Sequence, residues 1–434
     1  MTPRAGRGAL VGGLFHAWPI IERDVGTFAR DTNYRGDQAV PPRRLAPPTA
    51  RFNAARPRAR RVVRALLGTL AGIVFLRVLG VSLLFAGFVE HGHSLGGSTF
   101  QSGAAFAAYP LALALFMLPL SALSDRIGRR AVMVGALLVS SVGGIAAAFA
   151  DDILLLTLAR FVQGAGALNA VALAVAGEVG APARRTQRMA LLGAAAGIGF
   201  AAGILLGAYL TPLAGVPALL AGHSIASLAL VPLVARFVPH AVAASAPRVR
   251  GLGLEARVMA LAFAAFGVNL ALTGLLFLSP LLIVGVRYEL AITLMVIPGG
   301  LGMFLAARLA DRGHARAVGT VGALLLGLAP LAFVVDVGLG ALLAAGVLFF
   351  VGHSSLTALL PALAAERAAE GRRGTAQGVQ STLQYLGSAM GSLLVGALYP
   401  RAPALALVFV LAGVLVGASI AFATLREAQA RQPA

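Results

Sequence analysis

Ser121-Ala122-Leu123-Ser124-Asp125-Arg126-Ile127-Gly128-Arg129-Arg130 closes one apolar run, 101–123, and leads straight into another, 131–150. A membrane crossing takes roughly 20 mostly apolar residues. Two such runs joined by so short a basic segment read as two spanning helices hung on a tight turn. Asp125 ends the first helix at a membrane face, Gly128 permits the turn, and Arg126, Arg129 and Arg130 hold that turn on the cytoplasmic side. The fold follows if the same pattern recurs along the chain.

It does. Further runs of spanning length lie at 66–89, 154–177, 189–211, 217–237, 257–284, 290–310, 316–335, 339–361, 376–399 and 403–425, which with the first two predicts twelve transmembrane helices and an all-α membrane protein. Composition agrees: 59% of the 434 residues are hydrophobic and only 12% charged, with a mean hydropathy of +0.87, outside the range of soluble domains. The net charge of +19 comes from 35 basic residues, all of them arginine. That charge does not indicate nucleic acid, because 31 of the 35 fall in the segments that are cytoplasmic if the amino terminus is inside. Only Arg287 and Arg401 lie outside, where the breaks carry Glu90, Asp151, Asp152, Glu289 and Asp336 instead. The bias places both termini in the cytoplasm. Arginine without lysine points to GC-rich coding, hence a bacterial inner membrane.

Residues 1–61 are rich in arginine and proline and read as a disordered cytoplasmic tail, with no cleaved signal peptide expected. Cysteine is absent, which excludes disulfides and thiolate metal sites. His91 and His93 lack a third ligand at metal spacing. No phosphate-cradling loop, serine nucleophile motif or catalytic carboxylate pair is present, so neither an enzyme nor an ATP-driven pump is expected, and no cofactor or metal.

The chain is duplicated. Glu178 followed by Arg184-Arg185 matches Glu366 followed by Arg372-Arg373, Gly203-Ile204-Leu205-Leu206-Gly207 echoes Gly391-Ser392-Leu393-Leu394-Val395-Gly396, and Ser124-Asp125-Arg126 echoes Ala310-Asp311-Arg312. The offsets of 186–188 residues equal half of the apolar region. Two six-helix bundles in tandem are expected, 62–237 and 255–425, joined by a linker at 238–254 and followed by a short cytoplasmic tail at 426–434.

On these residues the chain resembles the major facilitator superfamily, in its drug:proton antiporter-like branch. The stretch 121–130 is similar to that family's signature loop Gly-x-Leu-x-Asp-Arg-x-Gly-Arg-Arg, with Ser121 in place of the first glycine; the second copy keeps only Asp311, Arg312 and Arg316. The resemblance implies that Asp125 meets the amino end of the eleventh helix and that Arg129 pairs with Glu178, a conformational latch formed by Asp125, Arg126, Gly128, Arg129, Arg130 and Glu178. It implies alternating access to a site between the halves, a small-molecule substrate, a proton gradient as energy source and a monomer in the bilayer.

Arg160-Phe161-Val162-Gln163-Gly164-Ala165-Gly166 is similar to a second family motif, whose arginine is associated with proton transfer. The competing reading is that Arg160 snorkels to the outer interface. Gly193, Gly197, Gly199, Gly203 and Gly207 resemble the glycine-rich antiporter signature without its proline, or else a packing seam. Arg77 stands mid-membrane, where a charge costs roughly 2.5–3.5 kcal/mol on insertion scales. It is a candidate for an anionic or polar substrate group, against a structural ion pair. His353 is the mid-membrane group of a type that titrates near neutrality and so a candidate proton carrier, or else a satisfied packing histidine. Tyr109, Gln163, Asn169, Asn269, Thr273, Gln380 and Gln384 complete a candidate polar lining. Proton-coupled efflux is the expected activity; import of a sugar or organic acid, and a non-transporting receptor or scaffold, are the alternatives.

Overall fold

The computed structural model describes residues 57–179, 185–238, 255–283, 286–333, 335, 338–369, 373–399 and 401–424. The tail expected at 1–61 lies outside them as far as residue 56, as do linker residues 239–254 and the stretch 426–434. Among the described residues all regular structure is helical.

In the first half α1 (Pro57–Ser82) is followed by the short α2 (Phe88–Ser94), α3 (Thr99–Ile127), α4 (Arg129–Ala148), α5 (Ile153–Ala165), α6 (Asn169–Glu178), α7 (Arg185–Leu228) and α8 (Val231–Phe237). The second half holds α9 (Ala256–Leu282), α10 (Tyr288–Leu309), α11 (Ala315–Leu328), α12 (Gly338–Arg367), α13 (Arg373–Leu398) and α14 (Ala402–Thr424). Local chemistry sets several boundaries. Ser98 and Gln101 form a reciprocal cap at the start of α3, and Asp152 accepts from Leu155 N at 2.8 Å to start α5. Gly128, at φ 97°, makes the turn from α3 into α4, a conformation that a Cβ would strain.

Nine stretches among the described residues are long and apolar enough to cross a membrane. Two of them, Gln187–Phe237 and Tyr288–Phe333, run to 51 and 46 residues and break at Gly215 and Gly313, both with positive φ. The first helix begins at Pro57, nine residues before the apolar run at 66–89, and turns at residues 83–87 into α2. The run 154–177 is interrupted at residues 166–168, so that Asn169 begins a new helix.

Within each half several helix pairs meet backbone to backbone at glycine, and one such pair recurs in both halves. A Cβ added at Gly199, Gly203 or Gly207 of α7 would stand 2.5, 2.5 and 2.2 Å from the carbonyl oxygens of Phe75, Leu79 and Leu83 in α1 and the turn after it. In the second half, one at Gly387 or Gly391 of α13 would stand 2.1 and 2.4 Å from the carbonyl oxygens of Phe266 and Leu270 in α9. Gly387 and Gly391 follow Gly199 and Gly203 by 188 residues, so the internal repeat is also a repeated packing surface. Among the described residues, Gly193 and Gly197 have nothing within 4 Å of an added Cβ. The glycine series thus splits into a seam, 199–203–207, and two positions without a packing partner.

Between the halves α3 lies along α13 and α7 meets α10. The tightest approach is at the end of the bundle that carries Ser98. There Ser392 Oγ donates to Gly103 O at 3.2 Å, and a Cβ at Gly396 would stand 2.8 Å from Thr99 O. Phe106 and Phe277 touch across the halves with ring centroids 5.8 Å apart.

Gly207→Ala is therefore expected to destabilise the purified protein by about 1–3 kcal/mol through overpacking, whereas Gly197→Ala should be neutral or stabilise by up to about 1 kcal/mol. Thermal unfolding of the two variants in detergent checks the contrast.

Candidate functional site

Five helices of the first half converge on a buried polar cluster. Arg77 of α1 is 2% exposed and Arg160 of α5 is 1% exposed. Arg77 donates from Nη1 to Ser140 Oγ at 2.8 Å and from Nη2 to Tyr109 Oη at 2.9 Å. Arg160 donates from Nη1 to Gln163 Oε1, one turn along its own helix. Its guanidinium carbon lies 4.7 Å from the ring centre of Tyr109, 5.5 Å from Phe88 and 5.9 Å from Phe106. Tyr109 thus stands between the two cations, since Arg77 also faces its ring at 5.7 Å. Such contacts stabilise a desolvated cation by about 1–2 kcal/mol each.

Arg160 reaches no surface, which removes the interfacial reading for this state. Neither arginine meets a carboxylate, and no Asp or Glu is buried among the described residues. Arg77 Nε, Arg160 Nε and Arg160 Nη2 make no hydrogen bond among the described residues.

His223 of α7 completes the cluster, and the sequence reading missed it. Its ring fills the space that Gly80 of α1 leaves open; a Cβ there would stand 2.2–2.4 Å from three ring atoms. Its Nδ1 also lacks a partner. Ser224 beside it packs on Gly144 and near Gln163. A lone Gly80 and a lone His223, 143 residues apart, carry no local signal of this fit.

Asn169 lies where the two halves meet, donating from Nδ2 to Tyr385 Oη of α13 at 2.8 Å. Tyr385 in turn packs on the cluster of Tyr109, Leu113, Met117 and Ala167. The second half contributes less. Asn269 uses its amide on Ala265 O of its own helix at 2.9 Å, and Thr273 is buried in α9. Gln380 is buried with Oε1 unpartnered, and Gln384 is partly buried. His353 packs its ring against Phe200 across the halves at 5.9 Å, with Thr357 Oγ1 3.3 Å from its Nε2. Of the candidates, Arg77, Tyr109, Arg160 and Gln163 form one connected group, joined by His223 and with Asn169 at its edge, whereas Asn269, Thr273, Gln380, Gln384 and His353 stand apart from it.

At the opposite end from Ser98, Arg129 joins Asp125 at 2.7 Å and Glu178 at 2.7 Å, and also donates to Ser124 Oγ. Arg130 Nε donates to Val238 O at 2.7 Å. Asp125 and Glu178 are half-exposed, so each pair contributes only about 0.2–1 kcal/mol. Residues 370–372, which lead into α13, lie outside the described residues, as does any contact of Asp125 with them.

A family model described as Major Facilitator Superfamily matches residues 70–392 and, in a second match, 261–434. The "Inner membrane transport protein YajR" of Escherichia coli (strain K12) is 30% identical over 346 residues, 75% of this chain and 75% of that protein. The "Tetracycline resistance protein, class B" of Escherichia coli is 33% identical over 108 residues, 25% of this chain and 27% of that protein. Among solved structures, a bacterial homolog of the human lysosomal transporter Spinster, in an inward-facing and occupied conformation, matches with a TM-score of 0.66 at 14% identity, covering 85% of this chain and 95% of that one.

Tyr109→Phe removes an acceptor from a buried guanidinium and is expected to cost about 1–3 kcal/mol of stability. The same change at Tyr209, 42% exposed, should stay within about 0.5 kcal/mol. Paired thermal unfolding curves decide between a satisfied cluster and a tolerant one.

Proposed function

The chain belongs to the Major Facilitator Superfamily and is a multi-pass helical membrane transporter, and from that premise we propose that it exports a small organic molecule by alternating access, driven by proton entry. The observation that supports this reading most is the buried polar cluster beside the seam between the halves, in a protein whose surroundings are otherwise apolar. On this reading the chain crosses the membrane twelve times, with Gln187–Phe237 and Tyr288–Phe333 each supplying two crossings and α13 one more. Both termini are then cytoplasmic and the membrane is a bacterial inner membrane. The Ser98 end is the periplasmic one, and the halves are in contact there.

The residues divide the work as follows. Each half moves as a body because its glycine seam leaves little slack, and the Gly103–Ser392 contact opens when the Asp125 end closes. Asp125, Arg126, Gly128, Arg129, Arg130 and Glu178 bias that exchange at the cytoplasmic end. The substrate meets Arg77, Tyr109, Gln163 and Asn169 on one side, and Asn269, Thr273, Gln380 and Gln384 on the other. Arginine holds its proton throughout the physiological range, so Arg160 acts on coupling through its field. Since no carboxylate is buried among the described residues, the proton itself rides on histidine, with His353 at the inter-half contact as the carrier.

Proteoliposomes with an imposed pH gradient test the proposal: flux of a compound from a broad library should follow the gradient. His353→Gln should lose that dependence and keep downhill exchange. Gradient-driven flux that survives in His353→Gln removes His353 from the coupling step, and the lack of any gradient-dependent flux contradicts coupled transport.

A further inference from the structure

The two buried arginines differ in how far the chain compensates them. Arg160 is enclosed by the faces of Phe88, Phe106 and Tyr109 and holds the amide oxygen of Gln163, an arrangement in which ring quadrupoles stand in for a counter-ion. Arg77 has one ring face, that of Tyr109, and two neutral hydroxyl acceptors, Ser140 and Tyr109. Its Nε makes no hydrogen bond among the described residues. Its neighbours in the cluster are a second guanidinium, that of Arg160, which shares the Tyr109 ring, and the His223 ring seated against Gly80. A fixed cation in a low-dielectric site, beside a second cation and with no buried acid among the described residues, is complementary to an anion.

We propose that Arg77, reinforced by the field of Arg160, binds the carboxylate of an organic anion whose apolar body lies along Leu113, Met117 and Tyr385. This names the substrate class of the transporter proposed above and rests on that reading. Arg160 keeps Nε and Nη2 unpartnered among the described residues, so its charge adds to the field that an anion at Arg77 meets. The planar fork of a guanidinium fits a carboxylate. Leu113 and Met117 pack with Tyr109 and Tyr385 in one apolar cluster, which favours a hydrocarbon or aryl body and disfavours a second charge. The cluster adjoins the Asn169–Tyr385 contact, so a ligand held there touches both halves.

The test is equilibrium binding by the full chain in detergent, read as the apparent melting temperature of the monodisperse fraction. Hexanoate, benzoate and phenylpropionate are compared with hexylamine, benzylamine and phenylpropylamine, and sodium chloride with sodium gluconate. At least one carboxylate should raise the melting temperature by about 3 °C or more at saturating concentration, and its matching amine should not. Arg77→Gln should abolish the shift, and Arg77→Lys, which keeps the charge but loses the fork, should weaken it. Should Arg77→Gln fail to fold, the carboxylate–amine contrast in the natural protein and the Arg77→Lys variant carry the decision. No carboxylate shift, equal shifts from carboxylates and amines, a shift from chloride alone, or a carboxylate shift undiminished in the Arg77 variants each overturn the proposal. Binding needs no flux. A chain that binds benzoate yet moves nothing in proteoliposomes would contradict the transport reading and leave the anion site standing, whereas flux without carboxylate binding would do the reverse.

Discussion

In lipid the hydrophobic effect does not push helices together, so their association rests on how closely their backbones can approach. In this chain the approach is set by glycine. Gly199, Gly203 and Gly207 lie one turn apart on α7 and admit the carbonyls of Phe75, Leu79 and Leu83, which are themselves one turn apart. Gly387 and Gly391 admit Phe266 and Leu270 in the same way. These seams allow little adjustment, because a backbone oxygen stands within 2.5 Å of each added Cβ. Between the halves the comparable contact is short, confined to Gly103 and Gly396 against Ser392 and Thr99. Stiffness inside each half, with glycine-tight contact between them at the Ser98 end, is the mechanical condition proposed for one half to rock against the other.

The same seams determine where the polar groups go. Packing α1 tightly against α7 brings Gly80 over His223 and turns Arg77 inward, toward Ser140 and Tyr109. A charge so placed must be compensated, and the chain does so unevenly, with three aromatic rings for Arg160 and two hydroxyls for Arg77. That inequality gives the cluster its chemical direction. A carboxylate of the protein at Arg77 would have made an inert ion pair.

Much of this was legible in the sequence because it is periodic or local. Apolar runs of spanning length marked the helices, the 188-residue offset marked the duplication, and Gly128 marked a turn that the structure forms with φ 97°. Arg77 and Arg160 stood out because charge inside an apolar run demands an account. Other features depend on contacts between helices far apart in the chain. His223 drew no notice because its place is defined by Gly80, and Tyr385 none because its partner Asn169 is 216 residues away. The glycine series looked uniform and is not, since helical spacing alone does not say which of its members face α1. The interfacial reading of Arg160 failed for a related reason: its distance along the helix from Ile153 said nothing of the rings of Phe88 and Phe106 that enclose it.

The central claim is that two stiff halves exchange contact at opposite ends of the molecule. Because the natural chain has no cysteine, spin labels can be attached in pairs without background: Phe100→Cys with Arg401→Cys at one end, and Ile127→Cys with Glu366→Cys at the other, all at exposed positions. Double electron–electron resonance should show the first distance lengthening as the second shortens when pH or ligand is changed. Distances that move together, or only one of the two moving, would contradict the account.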